Sequence, residues 1–296
     1  MAEVITSPSN PKIKRLLALQ QKSSARREAG LFVVEGQREL QHCIDAGFEI
    51  DSVFVCASLA VPPLTMPRVA RFPGAVATPT SPEAVRPQID KLAVNIPRSK
   101  AGNDIKVFEV SELVYAKIAM RESTEGVIAE VRTKEKRLEE LDLPERPLVV
   151  VLESVEKPGN LGAVLRSADA AGVDAVLFCD PLTDLWNPNL IRASLGAVFT
   201  VPCVACTSAE AIAFLKARGI RILTAQLQDS SLYYDCDMTA GTALVMGTES
   251  TGLTPAWREA ADAHIRIPML GRLDSLNVSV SAAILLFEAV RQRRNG

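Results

Sequence analysis

The chain has 296 residues, 48% of them hydrophobic and 23% charged, with a formal net charge of −2. That length exceeds one average domain, and the composition is that of a folded protein with a substantial core. No run of 18 apolar residues and no apolar signal core at the N-terminus point to a membrane or to export, so a cytoplasmic protein without membrane contact is expected. Six scattered cysteines suit free thiols in a reducing compartment. The charge is uneven: residues 1–30 carry six basic residues against two acidic, whereas 141–296 carry 13 basic against 17 acidic. A basic end on an acidic body can touch phosphate, which makes Lys12, Lys14, Arg15, Arg26 and Arg27 candidate RNA contacts. A solvated basic helix explains the same residues.

Taken in order, Ser7 to Asn10 reads as a helix cap, followed by the helical "PKIKRLLALQQKSSARRE". "LFVVEG" (31–36) and "DSVFVC" (51–56) read as strands around the helix "QRELQHCIDAGF" (37–48). Eight of the eighteen prolines fall in 60–104, which excludes a long helix there and leaves room for one near 81–93. A strand (105–111), the helix "ELVYAKIAM" and the strand "EGVIAEVR" follow. The segments up to 132 thus predict a small α/β domain, and the charged stretch 133–147, ending in two prolines, predicts a linker.

From Leu148 the pattern is α/β with a parallel sheet. "LVVVLES" is nearly unbroken apolar, as a strand buried on both faces requires. Strands are predicted near 148–154, 174–179, 198–204, 220–225, 243–247 and 264–268. Helices are predicted near 160–171, 188–196, 208–218 and 277–293.

The same composition removes several chemistries. Two histidines, His42 and His264, give poor support to a Ser-His-Asp triad and exclude a multi-histidine metal site, so no metal is expected. Cys203-Val-Ala-Cys206 is a lone CxxC on a strand, with its thiols on opposite faces. Neither a G-x-G-x-x-G nor a Walker A sequence is present, which disfavours a dinucleotide-dependent oxidoreductase.

Three loops remain, each after a strand and so on the ligand-collecting edge of a parallel sheet: "ESVEKPGNLGAVLRSADAAG" (153–172), "LVMGTESTGL" (244–253) and "GRLDSLN" (271–277). Asn160 either caps the helix beginning near Leu161 or serves a reaction. Arg166, on the first turns of that helix, can offer a planar fork to a phosphate or be an ordinary surface arginine. Gly247 and Gly252 flank Glu249, which either binds a ligand or supports the helix start that follows. Ser275 and Asn277 both suit the cap of the last helix, and one cap suffices.

At "NLGAVLR" (160–166), "MGTESTGL" (246–253) and "IPMLGRLDSLNVSVSAAILLFEA" (267–289) the sequence resembles the SpoU/TrmH family of RNA ribose 2′-O-methyltransferases. "IRASLGAVFTVP" (191–202) fits the same family, and residues 31–131 more weakly resemble its ribosomal-protein-like RNA-binding domain. The sequence departs from the family at Thr248, where Asn or a small residue is frequent, and in the length of the 60–104 stretch. The resemblance implies an N-terminal domain (1–132) that binds RNA and a C-terminal α/β trefoil-knot methyltransferase domain (148–296) with a parallel sheet. It implies S-adenosylmethionine as cofactor, with Gly247, Ile267, Met269, Gly271 and Leu276 around it. It also implies Asn160, Arg166, Glu249, Ser275 and Asn277 as the catalytic set, and a homodimer formed through the C-terminal domain. The implied activity is 2′-O-methylation of a ribose in structured RNA, rRNA ahead of tRNA. A non-catalytic RNA-binding protein that kept the knot is the competing expectation.

Overall fold

A computed structural model describes residues 3–59, 105–121, 125–272 and 275–295. The proline-rich stretch 60–104, with the helix expected near 81–93, lies outside them. The chain divides into two compact units, Met1–Thr133 and Lys134–Gly296.

In the first unit, β1 (Glu3–Ile5), β2 (Leu31–Glu35), β3 (Ile50–Val55), β4 (Lys106–Val110) and β5 (Val127–Arg132) form one sheet in the order β1-β4-β3-β5-β2. β1 and β3 run parallel to β4, and β5 runs antiparallel to β2 and β3. The helices are α1 (Pro11–Gln21), α2 (Ser23–Ala29), α3 (Gln37–Asp45) and α4 (Glu112–Ile118). Asn10 caps α1, its side chain accepting from the Lys12 backbone N–H at 2.9 Å.

The single N-terminal helix expected from the sequence is two. The backbone turns extended at Lys22 (φ −122°, ψ 121°), and Arg26 folds back, 3% exposed, to donate to the Leu19 carbonyl at 2.7 Å. The last carbonyls of a helix have no partner within it, and this guanidinium supplies one.

The second unit is a seven-stranded, wholly parallel sheet. Its strands are β6 (Leu148–Glu153), β7 (Ala175–Cys179), β8 (Cys203–Cys206), β9 (Arg221–Ala225), β10 (Ser231–Leu232), β11 (Thr242–Met246) and β12 (Ala263–Arg266). They lie in the order β10-β12-β9-β11-β6-β7-β8. Between them run α5 (Pro158–Ala171), α6 (Pro188–Ser194), α7 (Ala197–Thr200), α8 (Ser208–Ala217) and α9 (Pro255–Ala260), and α10 (Val278–Asn295) follows the last strand. All of β6 is buried because both sheet faces are covered. Val149, Val151, Ala243 and Val245 pack with Leu215 of α8 and Trp257 of α9, and α10 packs against α5 and β11.

The strand expected at 198–204 is an error of register. Ala197–Thr200 is a helical turn after Gly196 (φ 85°), and the extended chain begins only at Val201. Pro202 favours that extended backbone in the residue before it. Leu138 and Leu141, in the charged stretch 133–147, are buried in the core of the second unit.

Strand order does not follow chain order. β11 is inserted between β9 and β6, β12 lies outside β9, and the chain then returns across the sheet to lay α10 on α5. The segments after β6, β11 and β12 therefore leave the same sheet edge.

Candidate active site

The three segments meet at Glu249. Its Oε1 accepts from Asn160 Nδ2 at 2.8 Å and from Asn277 Nδ2 at 2.9 Å, and its Oε2 accepts from Lys157 Nζ at 2.9 Å. Asn277 Nδ2 also lies 3.1 Å from Asn160 Oδ1. One carboxylate thus ties the loops after β6, β11 and β12. The hydrogen bond from Lys157, ahead of that from Asn160, holds the Glu249 carboxyl below the usual carboxylate range, and Glu249 in turn raises Lys157.

Asn160 is not the helix cap. α5 begins at Pro158, with Lys157 at the cap position, so Asn160 is the third helical residue and its amide is free to cross to Glu249. Asn277 does both jobs considered for it. Its Oδ1 accepts from the Ser279 N–H at 3.0 Å at the start of α10, while its Nδ2 enters the cluster.

Beside the cluster is a cleft of about 420 Å³, within the size range of small-ligand sites. Gly247, Ile267, Met269, Ser275 and Leu276 line it, with Glu249 at its rim. Gly247 is there because backbone lies on it: a Cβ would fall 2.3 Å from the Gly252 carbonyl oxygen and 2.6 Å from the Leu253 nitrogen. Residues 248–252 close on themselves, Thr248 N donating to Gly252 O at 3.2 Å and Gly252 N to Thr248 O at 3.1 Å. Thr248, the departure from the family pattern, accepts the Thr251 N–H through its hydroxyl at 3.0 Å. Gly271 is not among the lining residues, and a Cβ there would meet nothing within 4 Å. Arg166 is exposed on α5 and makes no hydrogen bond or ion pair among the described residues.

Sequence reasoning missed four residues here. Lys157 pairs with Glu249, and Gln226 and Arg258 line the cleft. Glu153, 2% exposed, accepts from the Thr254 N–H at 2.8 Å and its hydroxyl at 2.7 Å, anchoring the end of the Glu249 loop to β6. A carboxylate closing an otherwise apolar buried strand was the available signal for it.

The basic N-terminus divides. Arg26 is corrected outright, since a guanidinium spent on Leu19 inside the fold cannot reach phosphate. Lys12 pairs with Glu3 at 2.8 Å, and Arg15 pairs with Glu130 and with Asp51. Lys14 and Arg27 are exposed. Cys206 faces Cys179 across β7 and β8 at 3.9 Å, and burial pushes the Cys203 thiol up to about 12. Among the described residues no helix is long and apolar enough to cross a membrane.

A parallel sheet whose out-of-order strands frame a cleft at their carboxyl ends, closed by three cross-linked loops, defines a class of ligand-binding α/β catalytic domain. Similarity to known proteins identifies the family within it. The SpoU rRNA methylase family matches residues 147–287, and the MRM3-like substrate binding domain matches residues 10–129. The 23S rRNA (guanosine(2553)-2′-O)-methyltransferase RlmP of Bacillus subtilis is 31% identical over 207 residues, covering 70% of this chain and 81% of that protein. The 23S rRNA (guanosine-2′-O-)-methyltransferase RlmB of Escherichia coli K12 is 40% identical over 176 residues, 57% of this chain and 72% of that one. Among solved structures, an RNA 2′-O ribose methyltransferase aligns over 98% of this chain and 99% of its own, at 35% identity and a TM-score of 0.77. An AdoMet-bound rRNA methyltransferase from Sinorhizobium meliloti aligns over 98% of each chain, at 28% identity and a TM-score of 0.81. The chain belongs to the SpoU rRNA methylase family.

Proposed function

We propose that this chain methylates the 2′-hydroxyl of a ribose in ribosomal RNA, using S-adenosylmethionine. The observation that carries the proposal is the Asn160–Glu249–Asn277 cluster beside the cleft. The residues present fit the cofactor. At Gly247 a cradle of backbone excludes any side chain, and the lining mixes apolar groups (Ile267, Met269, Leu276) with polar ones. When bound, S-adenosylmethionine supplies a methyl group on a sulfonium that a hydroxyl can attack.

The chain's own residues then have separate tasks. Gly247, Ile267, Met269 and Leu276 hold the cofactor. Glu249, kept ionised and hydrogen-bonded by three side-chain donors, fixes the loops rather than taking a proton, so the geometry stays set while the hydroxyl approaches. Arg166 clamps the phosphate next to the target ribose. A guanidinium does not give up its proton in proteins, so the proton of the hydroxyl passes to that phosphate or to a water. Ser275, on the cleft wall, is assigned to the substrate ribose in this reading.

The first unit, taken as residues 1–132, is the RNA-binding domain in this reading, which the match to a substrate-binding family supports. Homodimerisation through the second unit is part of the proposal. Val280 and Phe287, exposed seven residues apart on one face of α10, support it, and sedimentation tests it. The cytoplasm, where ribosomal RNA is handled, is the corresponding location. Incubating the full chain with methyl-labelled S-adenosylmethionine and total RNA, and mapping 2′-O-methylation in cells with and without the gene, tests the activity. A missing site in 23S rRNA is the expected result; a missing tRNA site would move the substrate, and no missing site would remove the activity.

A further inference from the structure

Gln226 follows β9 directly and lines the cleft. Its backbone N–H donates to the Ile265 carbonyl at 3.0 Å, which pins it between β9 and β12. Its side-chain Nε2 donates to the Gln228 carbonyl at 2.9 Å, which fixes the orientation of the amide. The other end of that amide, Oε1, is buried and has no hydrogen-bond partner among the described residues. A buried amide oxygen without a donor is costly, so proteins seldom leave one. Among the described residues a buried carboxylate oxygen of Glu39 shares this condition. The Glu39 atom faces the Gly36 backbone, where a Cβ would fall 2.7 Å from it, so no ligand can enter. Gln226 Oε1 belongs to a residue that lines an open cleft.

The strand order says which end of a ligand it meets. Gln226 stands on the β9 column, and α5, which carries Asn160 and Arg166, follows β6, two strands away across β11. At about 4.8 Å per strand that is roughly 10 Å. With the reacting end of the cofactor beside Arg166, which clamps the substrate phosphate in this reading, the β9 column receives the nucleoside end. The donors there are the ribose hydroxyls and the exocyclic amine of adenine.

We propose that Gln226 Oε1 accepts a hydrogen bond from the adenosine half of the cofactor and so selects for it, a role held by a side chain rather than by the backbone groups of the loops. This rests on the reading of the cleft as the S-adenosylmethionine site. The experiment is calorimetry on the full chain with S-adenosylhomocysteine and with analogues that each lack one donor: 2′-deoxy, 3′-deoxy, and N6,N6-dimethyl. The proteins are wild type, Gln226→Met, which keeps the length of the side chain without its polar atoms, and Gln226→Glu, which keeps the acceptor.

One analogue is expected to bind wild type and Gln226→Glu about two- to ten-fold more weakly than S-adenosylhomocysteine, the worth of one hydrogen bond. On Gln226→Met that penalty should vanish, and S-adenosylhomocysteine itself should weaken by the same factor. Equal penalties on wild type and Gln226→Met, or none on wild type, would overturn the assignment while leaving the cleft as the cofactor site. No binding of S-adenosylhomocysteine to folded wild type would overturn the proposed function and this inference with it. Should Gln226→Met not fold, Gln226→Leu, which also lacks an acceptor, takes its place with the same outcomes.

Discussion

At the scale of single residues the site is held by one carboxylate. Lys157 is the first cause of the lowered Glu249 pKa, so its removal favours the protonated acid. Lys157→Met is therefore expected to move the acid limb of the pH–rate profile to higher pH, because Glu249 then loses its charge earlier as pH falls. A profile that does not move would detach Glu249 from that limb. Gly247→Ala should abolish cofactor binding, since the added methyl cannot occupy space already held by the Gly252 carbonyl; calorimetry on the folded variant checks this. Arg166→Lys keeps the charge and loses the fork, so activity should drop at least ten-fold with cofactor affinity unchanged (roughly the cost of one charge-assisted hydrogen bond). Equal activity would return Arg166 to an ordinary surface residue. Glu249 and Asn277 were legible because glycines and a cap-forming residue mark them. Lys157 was not, because a lysine before a proline looks solvated until the fold brings a carboxylate to it.

At the scale of elements, two close fits decide what substitution does. Gly162 lets α5 and α6 touch: a Cβ would fall 2.5 Å from that of Ala193 and 2.7 Å from the Ser194 nitrogen. Gly162→Ala is expected to destabilise the second unit by about 1–3 kcal/mol, read from the denaturation midpoint. In the first unit the helix break at Lys22 separates the basic residues by role. Lys14→Glu and Arg27→Glu should each reduce the log–log salt slope of RNA binding, by at most about 0.7–0.9 per lost phosphate contact. Arg26→Glu should instead lower stability, because a carboxylate against the Leu19 carbonyl is repelled where a donor was held. Salt slopes and melting curves on the three variants separate the two outcomes. The strands were readable from apolar runs, and the helix of α5 from its spacing. The break at Lys22 and the turn at Ala197–Thr200 were not, because no glycine or proline marks Lys22, and the apolar Ala197-Val198-Phe199 reads as readily as a strand as it does as a helical turn.

At the scale of the molecule, the stretch after Thr133 is part of the second unit. Leu138 and Leu141 sit in its core, so a chain beginning at Lys134 should be more stable than one beginning at Glu145 by roughly 1.5–3 kcal/mol for each leucine. Charge and proline content pointed to a linker, and two leucines among acidic residues were too faint a signal against them. The strand order has a consequence in time. Synthesis delivers β6 and β9 before β11, yet β11 lies between them. While it is being made, the nascent sheet holds a gap with two unpaired edges, and it can close only when a later segment enters from the side. Loop closure over long separations makes such a step slow, and open strand edges recruit other chains in the meantime. Refolding of the second unit should show a late phase whose rate does not change with concentration, beside aggregation that grows worse as concentration rises, with chaperones acting on the interval before the central strand arrives.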